Sequence, residues 1–115
     1  MITVDFFLDG NGAFLGYQSE GHAGAGEYGY DIVCSAVSAL TISTANSIEA
    51  LTDSEIREEA AEDGGFLRVM LTPETADDPG AQLLLRALKL GISQMADSYP
   101  ENLRIRHIER KNYGR

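Results

Sequence analysis

Cys34 and His22 are the residues best suited to chemistry, and they lie twelve positions apart. A thiolate is a strong nucleophile, and an imidazole exchanges protons near neutral pH. Within hydrogen-bond reach, the imidazole takes the thiol proton and the thiolate attacks an acyl carbon. The imidazolium then protonates the leaving amine. Between the pair, Gly24, Gly26 and Gly29 punctuate a segment without apolar period, so 23–30 reads as a flexible loop able to cover a substrate. Asp31 precedes a helical pattern and reads as its N-cap. That places Cys34 in the first turn, where free N–H groups favour an anion and can stabilise an oxyanion. Asp31 has a second reading, as a third group orienting His22, although a carboxylate near a thiol opposes its ionisation. Ser38, four residues after Cys34, shares its helix face and either bonds back to helix carbonyls or lines the site. The plain alternative is a small buried Cys34 and a polar loop His22.

Other features offer less. His107 is flanked by Arg106 and Ile108 in an arginine-rich strand and reads as a surface residue. One cysteine and two histidines without ligand spacing predict no metal site, no internal disulfide and no cofactor. Gly24-Ala25-Gly26-Glu27-Tyr28-Gly29 matches GxGxxG, with Glu49 twenty residues beyond Gly29. Its context is poor for a dinucleotide site, because the preceding strand is half polar and an acidic hairpin arm follows the helix.

The elements that must position Cys34 and His22 read as ββαββαβ. Residues 2–8 alternate, with Ile2, Val4, Phe6 and Leu8 on one face, and Asp9-Gly10-Asn11-Gly12 supplies a hairpin turn. A half-polar strand runs from Phe14 to about His22. Val33, Val37, Leu40, Thr44, Ile48 and Leu51 form a helical stripe from Asp31 to about Thr52. Residues 55–62 pair with 66–71 around Asp63-Gly64-Gly65, against the helical propensity of the first arm. Pro73, Pro79 and Gly80 mark a loop. Leu84, Leu88, Gly91, Ile92 and Met95 give a second helical stripe closing near Tyr99-Pro100, and a last strand covers 103–108. The fold class is α+β: a single domain over 1–115, with a mainly antiparallel sheet packed against two amphipathic helices.

With 43% apolar and 23% charged residues, a disordered chain is excluded. No apolar run approaches the ~20 residues of a membrane span, and the N-terminus lacks the pattern of a signal peptide. A cytoplasmic protein is expected. The net charge of −9 argues against nucleic acid and favours a basic partner. Residues 49–63 carry seven acids against Arg57, while 104–115 carry five bases against Glu109. Three classes follow from the residues: a thiol hydrolase, a non-catalytic module binding a basic ribosomal or phage protein through an inert Cys34, and a nucleotide-binding domain using the glycine loop.

Gly21-His22-Ala23-Gly24, then Gly29-Tyr30-Asp31-Ile32-Val33-Cys34, then Ser35-Ala36-Val37-Ser38 resemble the signature of the ribosomal-processing cysteine protease family. Ser35 stands where alanine is common in that family, and the basic tail after Glu109 lies outside the pattern. The order of elements and the length resemble the family too. The resemblance implies a cytoplasmic, homodimeric cysteine endopeptidase of Firmicutes and related bacteria. It would remove the short N-terminal extension of large-subunit ribosomal protein twenty-seven, so that the mature end can reach the peptidyl-transferase region. It implies Cys34 as nucleophile and His22 as base, with Asp31 and Ser38 as further matched motif residues. The glycine loop would close over the substrate, whose aromatic-rich cleavage sequence calls for an apolar subsite.

Overall fold

The computed structural model describes residues 1–21 and 28–110. Five strands form one sheet in the order β3-β4-β2-β1-β5. They are β1 (Ile2–Leu8), β2 (Phe14–Glu20), β3 (Ile56–Ala60), β4 (Phe66–Leu71) and β5 (Leu103–Glu109). Every pairing is antiparallel except that of β1 with the edge strand β5. Helix α1 (Tyr28–Leu51) joins β2 to β3, and α2 (Pro79–Ser98) joins β4 to β5 after a single 3-10 turn at Pro73–Thr75. The expected ββαββαβ order and α+β class are borne out, including the acidic arm of the second hairpin.

Alternation decides which face each strand residue takes. Ile2, Val4 and Phe6 join Tyr17, Val69, Leu71 and Leu103 in the main core, under Val33, Val37, Ala45 and Ile48 of α1 and Ala81, Leu85, Leu88 and Ile92 of α2. On the opposite face Phe7, Leu15 and Met70 make a small second cluster. There Asp5, only 3% exposed, receives two hydrogen bonds from the Arg106 guanidinium, at 2.8 and 2.9 Å. Such a bidentate pair offsets the desolvation of a buried carboxylate.

The turn after β1 is closed by its own Asp9, whose carboxylate accepts from the N–H groups of Asn11 and Ala13. At the neighbouring bulge, where the β1–β2 register shifts, Gly16 leaves no room for a side chain. A Cβ there would lie 2.2 Å from the Val69 carbonyl oxygen. The strand–strand approach therefore requires glycine.

Both helices depart from expectation in detail. α1 begins at Tyr28, so Asp31 is its fourth residue and not its N-cap, and Gly29 lies inside the helix and not in a loop. Its buried stripe is Val33, Val37, Thr41, Ala45 and Ile48, while Leu40 and Leu51 turn outward. Thr41 takes the inward place because its polar groups are bonded. Its hydroxyl donates to the Val37 carbonyl at 2.8 Å, and its own carbonyl accepts from the Tyr17 hydroxyl at 2.6 Å. α2 starts at Pro79, with Asp78 as its cap accepting from the Ala81 N–H, so Pro79 and Gly80 belong to the helix. Proline suits the first helical position, where the missing N–H leaves no bond unmade. Leu85, not Leu84, is its fully buried residue at that level. Gln82 ties α2 to the start of β2, accepting from the Phe14 N–H and donating to the Phe14 carbonyl.

Ile32–Leu51 is also long and apolar enough to cross a membrane by length and composition, contrary to the expectation from apolar runs. In the fold this stretch instead lays Val33, Val37, Ala45 and Ile48 onto the sheet. Many of its other positions are Ser, Thr and Asn, as suits a helix with one wet face.

Burial pushes the Tyr17 hydroxyl well above its usual value of 10.0; the Glu58 charge adds to this and the Ala45 amide opposes it. Below pH 10 folded and unfolded chains both keep this proton; above it the unfolded chain loses the proton first. This group therefore contributes stability that is lost as pH rises beyond 10. Tyr17→Phe should cost about 1 kcal/mol at neutral pH through the lost buried bond. Urea midpoints measured from pH 8 upward should then fall less steeply above pH 10 in the variant than in the wild type.

Candidate active site

Helix α1 carries the candidate nucleophile on its buried edge. Cys34 is half-buried and packs against the margin of the main core. It is the seventh residue of α1, so it sits in the second turn and not the first as expected. The N–H groups that a helix leaves without an intrahelical partner belong to its first turn, and Cys34 lies beyond that turn. Ser38 follows one turn later, also half-buried, and lines a recess of about 410 Å³ between α1 and the β3–β4 hairpin. Ser19, Thr41, Ile42, Ala60 and Phe66 contribute to the same recess. Ser38 thus lies one turn from Cys34 at the edge of this recess.

The segment leading to His22 is anchored at Gly21. The Gly21 N–H donates to the Gly65 carbonyl at 3.0 Å, and the chain passes under the first residues of β1. A Cβ on Gly21, at φ +136°, would lie 2.6 Å from the Met1 carbonyl oxygen and 3.0 Å from the Ile2 Cα. His22, Gly24 and Gly26 lie outside the described residues. Asp31 is placed only as the fourth residue of α1.

A second recess of about 430 Å³ opens at the same end of the sheet, lined by Glu20, Gly21, Ala61, Asp63, Gly65 and Phe66. Ala61 and Phe66 border both recesses, but the register puts Ser19 and Leu67 on the helix side with Tyr17 and Val69, and Glu20 and Phe66 on the other face with Arg68, so the two recesses meet only around the hairpin tip. Of these lining residues, Ser38 and Gly21 are singled out by the sequence, whereas Ser19, Thr41, Ala61 and Phe66 are not. Thr41, seven positions after Cys34, shared its helical face, but nothing in the sequence brings 58–67 beside it. His107 is exposed on β5 and stacks on Phe6, consistent with a surface role.

A family model described as Cysteine protease Prp matches residues 1–104. The chain belongs to the Prp family of cysteine proteases. It is 32% identical over 107 residues to the ribosomal processing cysteine protease Prp of Staphylococcus aureus, covering 93% of this chain and 99% of that protein. The crystal structure of SMU.848 from Streptococcus mutans superposes with a TM-score of 0.86 at 37% identity, over 96% of each chain. A crystal structure of the S. aureus protease with a covalently linked product peptide gives a TM-score of 0.83 at 31% identity, covering 93% of this chain and 99% of that one.

Membership of the Prp family makes the protein a cysteine protease, a peptide hydrolase, and sets aside the non-catalytic module. The nucleotide-binding alternative fails on topology. Both neighbours of β2 run antiparallel to it, whereas a dinucleotide unit pairs the strand before its glycine loop with parallel strands. Gly29, the last glycine of the literal match, lies within α1.

Because Gly21 leaves no space for a Cβ, Gly21→Ala must shift the backbone that leads into residue 22. A displacement of about 1 Å in a catalytic group lowers activity roughly 100-fold. Peptidase assays on Gly21→Ala should show a loss of that order in kcat/KM, while Cys34 still reacts with iodoacetamide. Wild-type kcat/KM would disprove the expectation.

Proposed function

We propose that the protein removes the short N-terminal extension of large-subunit ribosomal protein twenty-seven by Cys34 nucleophilic catalysis, with His22 as base. The single observation that carries the nucleophile is arithmetic: the family's chemistry requires a thiol, and Cys34 is the chain's only cysteine. Its half-buried place on α1, one turn before Ser38 and the recess that Ser38 lines, supports the same assignment. The Gly-His-Ala-Gly and Asp-Ile-Val-Cys segments carry the assignment of the base.

The chemistry then runs in two halves. His22 takes the thiol proton as Cys34 Sγ attacks the scissile carbonyl carbon, and the tetrahedral intermediate collapses when the imidazolium protonates the departing amine. Water, activated by the neutral imidazole, next attacks the thioester and releases the new carboxylate with the thiol restored. Asp31 acts within this scheme by orienting His22, and Ser38 by lining the substrate path. The 23–27 segment, rich in glycine, covers the bound peptide and excludes water.

A basic ribosomal protein suits a partner of net charge −9, because opposite charge speeds encounter. Activity on a ribosomal protein before its assembly places the enzyme in the cytoplasm. Family resemblance suggests a homodimer, and Leu83 and Leu90, 57% and 61% exposed and seven residues apart on α2, offer an apolar face for it.

Intact-mass spectrometry of the extended ribosomal protein tests the reaction and its nucleophile together. One new N-terminus should appear with wild type and be absent with Cys34→Ala. An intact substrate after long incubation with wild type would overturn the assignment.

A further inference from the structure

Where β1 finishes and β2 begins, the first hairpin and α2 leave between them an open trough of about 410 Å³. Leu8, the last residue of β1, and Phe14, the first of β2, form its apolar floor. Positions 86, 89, 90 and 93 of α2 recur at the spacing of one helical face and supply the facing wall. That wall presents Arg86 and Lys89, the only bases of α2, beside the exposed Leu90. No carboxylate lines the trough, and it shares no residue with the recesses beside Ser38 and Gly21. Phe14 and Glu20 stand at opposite ends of β2, roughly 20 Å apart, so the trough is also far from the segment leading to residue 22.

The charge state of the wall sets the trough apart from an ordinary solvated surface. Lys89 is half-buried, and among the described residues neither it nor Arg86 has an ion-pair partner, in a chain of eighteen acids against nine bases. Bases held against apolar surface without a counter-charge are complemented by an anion that carries an apolar group.

We propose that the trough docks an acidic segment of a partner protein. One large apolar side chain of that segment sits between Leu8, Phe14 and Leu90, and the acids flanking it pair with Arg86 and Lys89. The trough is open along one side, whereas small ligands are held in sites that enclose most of their surface, so a protein segment suits it better than a small carboxylate. Residues 111–115 of the chain itself carry Lys111 and Arg115 and no acid, and do not complement it. A two-fold contact between copies centred on the trough would set Arg86 and Lys89 against their own counterparts. Leu83, the other strongly exposed leucine of α2, lies outside it. The inference goes beyond the proteolytic reading and does not rest on it.

Titration of the full chain with a capped synthetic peptide, Glu-Gly-Glu-Phe-Glu-Gly-Glu, followed by two-dimensional amide NMR, tests the site. Shifts should concentrate at Leu8, Gly12, Phe14 and 86–93, and binding should weaken as salt is raised. Glycine in place of the peptide's phenylalanine should weaken wild-type binding roughly 10-fold, the usual effect of burying such a ring. Arg86→Glu combined with Lys89→Glu should lose this peptide and gain its lysine counterpart, Lys-Gly-Lys-Phe-Lys-Gly-Lys. Leu90→Ser, a single change at an exposed position, should weaken the parent peptide several-fold. Unchanged amide positions away from the trough would show that each variant is folded. No binding at millimolar peptide, shifts centred on another surface, or equal binding of the glycine peptide would overturn the proposal. So would phenylacetate binding as tightly as the peptide, which would make the occupant a small carboxylate. If dilution of the wild type alone moves the same amides, the trough belongs to a second copy and the proposal is likewise overturned.

Discussion

The seat of α1 on β2 is the constraint from which the position of the thiol follows. Tyr17 is wholly buried at the middle of the sheet, and its hydroxyl reaches the Thr41 carbonyl at 2.6 Å. A phenol in that setting must bond to something, and the carbonyl it finds belongs to the helix above. The contact pins both the rotation and the axial position of α1, since a slip by one residue would turn Leu40 or Ile42 onto the ring. With Thr41 held, Val37, Val33 and Cys34 follow on the same flank at rises of 1.5 Å per residue. The thiol thus lies two turns from Thr41 toward the N-terminal end of α1, at the margin of the main core.

Among the described residues, the opposite face of the sheet carries no helix, and charge takes over much of the work of covering it. Asp5 is buried beside Arg106 in a bidentate pair, and the Arg110 guanidinium lies 4.5 Å from the centre of the Phe7 ring. Both arginines come from β5 or its end, so Arg106 and Arg110 help hold the one parallel strand to β1. Arg68 plays a similar part over Phe66 and Gln18 on the far side. Arg68 and Arg106 thereby serve the bare face, while the helix-side recess has Glu58 in its lining.

The second hairpin shows why the recess beside Ser38 lies where it does. Its first arm, from Ile56 to Ala60, has only one residue in five even half-buried, and as an edge strand it pairs on one side only. Charged edges deter pairing with other chains. The hairpin and α1 leave a recess between them, lined by Ser38, Thr41 and Ile42 from the helix and by Glu58, Ala60 and Leu67 from the hairpin. Glycine at 64 and 65 and the Asp63 carboxylate on the Gly65 N–H keep the hairpin tip tight.

The sequence by itself determined the elements and the chemistry. Period-two and helical patterns located all five strands and both helices, and the spacing of His22, Asp31 and Cys34 carried the family likeness. Those signals are local: they depend on side-chain direction along one element or on a motif contiguous in the chain. It misjudged the start of α1, because Asp31 looks like a cap wherever the preceding residues carry glycine. Which residue of each stripe is buried was decided by tertiary structure, since Thr41 outranks Leu40 only once Tyr17 lies beneath it. So was the recess, whose walls come from β2, α1 and β4, as much as fifty residues apart in sequence. Strand order set those distances, and the pairing of β4 between β2 and β3 is a long-range choice that no local pattern records.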